Sequence, residues 1–334
     1  MPKNLVAQGV RLKGIRSLNI STGPSALHSG PRFSFIVCTR DRPAKTLACL
    51  RSIAATVGPA PGEAEIILVE NGSQKSLSLP DAELDEAAPG LCRTFRLAKG
   101  CLSEARNLAC DAAQGEFVVY IDDDCMLQSG YLDDLKRHVG RMEAEGQRHY
   151  IIGGRVMLGD PSDLPFTIKD HPQAQTFHTG IHPGGFVQGC NFFLPKATAA
   201  LIGGFDPRFG PGARFHAGED TDYLIRAHAA GVPLHYVPDM AVWHCHGRRT
   251  FDEVDRLNRT YAFANGAILA KHLRDHPWLA RHLAWTIRST AKERIGGPHF
   301  DDDLGLSWGS VTTSQLRGVW AFIADRMRHG RMAL

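Results

Sequence analysis

Three short clusters carry residue types that could do chemistry. The first is Asp122-Asp123-Asp124, directly after the apolar run EFVVYI at 116–121. Three adjacent carboxylates repel one another, and a divalent cation offsets that repulsion. Hard oxygen donors suit Mg²⁺ or Mn²⁺, which keep waters and a substrate diphosphate in their shell. Side chains alternate along an extended chain, so Asp122 and Asp124 are expected on one side and Asp123 on the other. The second cluster is Glu219, Asp220 and Asp222, at the start of a helical pattern. Acids there are favoured by the helix dipole and can cap the first turn. If they face the triplet, one can serve as a general base. The third is Trp243-His244-Cys245-His246-Gly247. No second half-site of ligands supports a zinc centre, but one imidazole, His244 or His246, could complete a carboxylate-bound Mn²⁺ site.

These clusters need a frame. FSFIVCT at 33–39 and EIILVE at 65–70 read as buried strands. Between them, Pro43 opens a helical pattern that ends in glycine. A third strand is expected at 93–97, a helix over 103–113, and a fourth strand at 116–121. This alternation implies βαβ units and a mainly parallel sheet. Ligands of such sheets bind beyond the carboxyl ends of the strands. Those ends carry Thr39-Arg40-Asp41, Glu70-Asn71-Gly72 and the aspartate triplet, so three polar strand ends would meet at one rim. Arg106, opening the 103–113 helix, could pair there with a phosphate.

Further along, helices are expected over 130–145, 195–202 and 219–230, and strands over 150–158, 185–194, 234–237 and 241–246. Residues 159–185 carry little periodicity; a loop that long is expected to be functional, here a lid. From Glu253 the chain reads as mostly helical.

Composition narrows the function classes. The chain has 334 residues, a formal net charge of +3 and 43% hydrophobic residues. It is long enough for a sizeable core, and nothing in it favours disorder or nucleic-acid binding. No apolar run approaches the roughly 18–20 residues needed to span a bilayer. From His244 to Leu334 there are 14 Lys+Arg against 9 Asp+Glu. Trp278, Trp285, Trp308, Trp320 and Phe322 lie among those basic residues, so the C-terminal helices could touch a membrane peripherally or pack on the core. Eight cysteines form no C-x-x-C pair, which points to a reducing compartment. With no apolar block of signal-peptide length near the N-terminus, the expectation is a cytoplasmic protein, in reach of the inner face of the membrane. G-x-G-x-x-G and G-K-[ST] motifs are both lacking.

Taken in order, F-S-F-I-V-C-T-R-D-R-P, I-I-L-V-E-N-G-S, S-E-A-R-N, F-V-V-Y-I-D-D-D, G-G-F-D-P-R-F-G, G-E-D-T-D-Y and V-W-H-C-H-G resemble the family 2 glycosyltransferases. The likeness covers about 33–247. It implies a GT-A fold: an α/β, Rossmann-like, mainly parallel sheet flanked by helices, here with a helical C-terminal extension. The implied organisation is an irregular arm over 1–31, a GT-A domain over 32–250 and the extension over 251–334. Within the domain, 32–128 would be the nucleotide half and 129–250 the acceptor half.

The resemblance further implies an inverting enzyme that moves a sugar from a nucleotide-sugar donor, a UDP-sugar in the first instance, to a hydroxyl of a glycan or lipid-linked acceptor. By position, Thr39, Arg40, Glu70, Arg106, Asp122 and Asp123 would bind the nucleotide. Glu70 stands where the family usually has Asp. Asp124, Asp122 and His244 would hold Mn²⁺ or Mg²⁺. Asp220 would be the general base, with Glu219 beside it. Gly189, Asn191 and Asp222 would lie on the acceptor side. Two other readings compete. A sugar-phosphate nucleotidyltransferase would carry a glycine-rich basic loop where this chain has T-R-D-R-P. A non-catalytic nucleotide-sugar-binding relative would have no need of Asp220, the triplet and His244 together.

Overall fold

A computed structural model describes residues 30–58, 62–73 and 79–330. The expected arm over 1–31 lies almost wholly outside them. The fold begins with β1 (Phe33–Thr39), α1 (Pro43–Val57), β2 (Ala64–Asn71), α2 (Asp81–Ala87), β3 (Cys92–Leu97), α3 (Leu102–Ala112) and β4 (Phe117–Asp122). It continues through β5 (Cys125–Leu127), α4 (Tyr131–Ala144), β6 (Ile151–Leu158), β7 (Gln175–Thr176), β8 (Asn191–Pro195), α5 (Lys196–Ile202), α6 (Glu219–Ala229) and β9 (Leu234–His244). Three long helices close it: α7 (Phe251–His272), α8 (Ala280–Glu293) and α9 (Trp308–Gly330).

The strands form one sheet in the order β3-β2-β1-β4-β8-β6-β9-β5, with β7 paired to β9. The β3-β2-β1-β4 half is parallel. Of these, β1, β2 and β4 are covered on both faces, which is why they read as apolar runs, whereas the edge strand β3 is partly exposed. Beyond β4 the sheet is mixed: β8 runs antiparallel to β4 and β6, and β9 runs parallel to β6.

Two expected strands, 234–237 and 241–246, are one. Pro238-Asp239 looks like a break, but a register shift opposite Gly153–Arg155 absorbs the extra residues. A bulge of this kind tolerates a proline inside a strand. The expected strand over 185–194 shrinks to β8, because 185–190 is loop.

The 159–185 segment is fastened rather than free. Asp163 and Phe177 are buried, Phe166 stacks on Tyr261, and the Tyr236 hydroxyl donates to the His171 carbonyl at 2.7 Å. The lid reading therefore loses its basis over most of this stretch. The C-terminal helices pack on the core through Phe209, Phe215, Ile225, Ile268 and Phe322. Among the described residues no helix is long and apolar enough to cross a membrane.

Candidate active site

The carboxyl ends of β1, β2 and β4 meet as expected, at Thr39, Glu70 and Asp122. What each rim residue touches differs from one to the next. The Thr39 hydroxyl donates to Asp123 at 2.6 Å. Glu70 is buried and paired with Arg96. Arg40 is exposed, lies 3.9 Å from Asp41 and leans over Gly100. Glycine is needed at Gly72, at φ +67, because a Cβ there would fall 2.1 Å from the Gly100 backbone nitrogen, while a Cβ on Gly100 would meet the Arg40 guanidinium at 2.9 Å and the Asn71 carbonyl at 3.1 Å. The β2 and β3 turns can approach this closely only as glycines.

The aspartate triplet is divided among Arg42, His244 and Arg106, with Thr39 as a further partner of Asp123. Asp123 is buried, which pushes its carboxyl up to about 6 against the pull of Arg42. Asp124 is equally buried, but a hydrogen bond from His244 and the charge of Arg42 outweigh burial and hold it at about 2. Asp122 turns toward Arg106, 3.0 Å away. Arg42, half-exposed, donates to Asp123 at 3.2 Å and to Asp124 at 3.0 Å. Sequence reasoning missed Arg42. The available signal was a cation placed one residue before the α1 proline, facing three acids.

His244 lies opposite Cys125 in the β5–β9 ladder. Its Nε2 is 3.3 Å from Asp124 Oδ1. Burial alone would lower the imidazole pKa, yet Asp124 raises it to about 9. Its Nδ1 is buried without a hydrogen-bond partner. His246, the alternative, faces away: its Nδ1 is 3.7 Å from Asp163 and accepts from the Arg248 N–H.

Two acids of the triplet held by a half-exposed arginine, next to a buried imidazole, fit a hard divalent cation. Asp124 and His244 would hold it, with Arg42 displaced. Asp122 is drawn toward Arg106. Among the described residues the metal-donor atoms that converge within 4.8 Å of one another belong to Cys125, Cys190 and His244, not to an Asp122–Asp124–His244 set.

Arg106 is the pivot of the site. Its guanidinium is buried and donates to Asp122, to Glu219 and to the Gly189 carbonyl, each at 3.0 Å. Three of its N–H groups are thus used on protein groups. A phosphate at this S-E-A-R-N arginine would have to compete with these three protein acceptors. Burial pushes the Glu219 carboxyl up, although Arg106 opposes it. Asp220 is half-buried at the first turn of α6. Its Oδ2 accepts from the Gly189 N–H at 3.0 Å, and its Oδ1 from the Thr221 N–H at 2.6 Å. Gly189 therefore touches Arg106 through its carbonyl and Asp220 through its N–H. A Cβ there would come within 3.0–3.2 Å of both side chains.

Two expected acceptor-side residues are corrected. Asn191 is fully buried; it accepts from the Tyr131 hydroxyl at 2.6 Å and donates to the carbonyls of Arg155 and Met240. It ties α4, β6 and β9 together and faces no cleft. Asp222 is also fully buried, paired with Arg226, Lys271 and His272. Burial would raise its carboxyl, but these partners hold it low. It anchors α6 to α7; two residues on from Asp220, it lies about 200° further round the helix and so faces the other side.

The parallel half-sheet, the polar rim at its carboxyl edge and the acidic start of α6 define a nucleotide-sugar-transferase architecture, the GT-A fold. The chain belongs to the glycosyltransferase-like family 2, whose model matches residues 31–262. It is 28% identical over 204 residues to the succinoglycan biosynthesis protein ExoM of Rhizobium meliloti (strain 1021), covering 61% of this chain and 63% of that protein. It is 27% identical over 174 residues to the amylovoran biosynthesis glycosyltransferase AmsB of Erwinia amylovora, covering 50% and 55%. The chain spans less than two thirds of the length of either relative. Two solved structures share its fold. One is the mannosyltransferase PcManGT from Pyrobaculum calidifontis in complex with GDP-Man and Mn²⁺, at 16% identity, TM-score 0.58, with 89% of this chain and 87% of that one covered. The other is S. aureus TarS 1–349 in complex with UDP, at 16% identity, TM-score 0.52, with 90% and 92% covered.

Proposed function

We propose that this protein is an inverting glycosyltransferase of polysaccharide biosynthesis, moving a sugar from a nucleotide-sugar donor to an acceptor hydroxyl. The observation that carries the reading is the Arg106 bridge: one buried guanidinium ties Asp122 of the triplet to Glu219, the neighbour of Asp220. The donor rim and a carboxylate suited to proton abstraction thereby stand in one rigid frame.

In this reading Asp220 accepts the proton of the attacking hydroxyl. Its two backbone N–H partners aim it while leaving it half-exposed to an incoming group. Thr39, Arg40, Glu70, Asp122 and Asp123 form the nucleotide rim. Asp124 and His244 would hold Mn²⁺ or Mg²⁺, which when bound offsets negative charge on a leaving diphosphate. Arg106 and Gly189 are positioning groups. The two relatives named for succinoglycan and amylovoran biosynthesis support a glycan or lipid-linked acceptor. Mn²⁺ in one structural neighbour supports a divalent ion. UDP is the favoured carrier, with dTDP and GDP as the comparison; Glu70 on the nucleotide rim is paired with Arg96. The division into 32–128, 129–250 and 251–334 belongs to the same proposal, as does a place in the cytoplasm at the inner membrane face.

The test is thermal stability with UDP, dTDP and GDP, each with and without Mn²⁺, followed by donor turnover. Ligands that bind only the folded state raise its stability, by roughly 2.7 kcal/mol at 100 times the dissociation constant. A Mn²⁺-dependent rise with one nucleotide and detectable donor turnover are the expected results. Nucleotide binding without turnover would favour the non-catalytic relative, and pyrophosphate release from a nucleoside triphosphate and a sugar 1-phosphate would favour a nucleotidyltransferase.

A further inference from the structure

We propose that the outer face of α9, with the cationic face of α8 beside it, docks on an anionic bilayer surface. The argument starts with how α9 is held. A Cβ on Gly266 of α7 would fall 1.9 Å from the Gln315 carbonyl oxygen, and one on Gly318 would fall 1.9 Å from that of Phe263. Two glycines thus let the backbones of α7 and α9 touch. With Ser314, Gln315, Phe322 and Asp325 buried on that side, the rotation of α9 about its own axis is fixed.

What this rotation turns outward is apolar. Leu316, Trp320, Ile323 and Met327 are 42%, 69%, 37% and 55% exposed. At 3.6 residues per turn these four positions fall within about 60° of arc. Arg317 and Arg328 lie on one flank of the stripe and Arg326 on the other, all exposed. A narrow apolar stripe bordered by arginines is the pattern of a helix lying in a membrane interface. Long cationic side chains at its borders can reach up to headgroup phosphates.

Neighbouring α8 adds charge of the same sign: Arg281, Arg288 and Lys292 are exposed, as is Trp285, which rests edge-on against Trp308. The acids within α8 and α9 are committed elsewhere. Glu293 accepts from the Trp308 and Gly309 N–H groups, capping α9, and Asp325 is paired with Arg214 at 2.8 Å. The outward charge of the two helices is therefore positive, which selects an anionic surface as the occupant. Trp278, Trp308 and Phe322 belong instead to the packed side, so the aromatic residues of this region divide between core and surface.

The experiment is flotation of the full chain with phosphatidylglycerol-containing vesicles and with pure phosphatidylcholine vesicles, at low and high salt. The expected result is binding to the anionic vesicles that weakens with salt. The double variant Trp320→Ser, Met327→Ser should lose at least about tenfold of that binding, while its melting temperature and its response to nucleotide stay those of the wild type. Absence of binding at low salt, or equal binding by the double variant, overturns the proposal. So does a wild-type dimer that anionic vesicles leave intact and the double variant dissociates, since a second copy would then cover the stripe. If the double variant melts early, quenching of wild-type tryptophan fluorescence by brominated anionic lipid decides, and unchanged fluorescence counts against membrane contact.

Discussion

His244 Nε2 stands 3.3 Å from Asp124 Oδ1, and Arg42 Nη1 stands 3.0 Å from Asp124's other oxygen. Two cations thus share one buried carboxylate at the end of β4. In the absence of metal this pair makes folding stability depend on pH. His244 titrates near 9 folded, against an ordinary 6.5. Its contribution is complete below 6.5 and is lost as pH rises through 9, amounting to roughly 3 kcal/mol. Denaturant unfolding in a chelator should show that alkaline loss in the wild type. His244→Asn should flatten it, and an unchanged alkaline slope in the variant would contradict the pairing.

Arg42 and a bound cation compete for the same oxygens. Arg42→Ala should lower stability in a chelator by about 1 kcal/mol, a small effect because Arg42 is half-exposed. Mn²⁺ should then stabilise the variant more than it stabilises the wild type. Asp124→Asn should do the opposite and abolish the Mn²⁺-dependent part of nucleotide binding. Calorimetric titration of Mn²⁺ into the three proteins checks the order; equal affinities would remove Asp124 from the metal site.

Truncating the pivot should be costly. Arg106→Ala leaves Asp122, Glu219 and the Gly189 carbonyl without their shared donor in a buried place. Breaking a buried ion pair from one side costs about 3–5 kcal/mol. An unfolding free energy within about 1 kcal/mol of wild type, on the scale of a surface pair, would show that the bridge is weak.

The β2-β1-β4 strands were legible because doubly covered strands are continuous apolar runs closed by polar residues. The triplet and His244 were legible because they sit at the ends of such runs, and the α6 acids because they open a helical pattern. Pair-specific geometry was not. Whether Arg106 meets a phosphate or two carboxylates depends on how α3 and α6 cross, and neither local sequence carries that. Asn191 and Asp222 look like site residues by type, but burial turns both into struts, through Tyr131 in one case and Lys271 with His272 in the other. The three-residue β5 and the two-residue β7 are too short to show a period. Pro238 hid the continuity of β9, because a bulge is a property of two strands.

The central claim is that Asp220 takes the acceptor proton, and donor turnover by Asp220→Asn tests it most directly. The account predicts a rate about 10²–10⁴-fold below wild type, with the thermal response to nucleotide and Mn²⁺ unchanged. Near-normal turnover by this variant would contradict it.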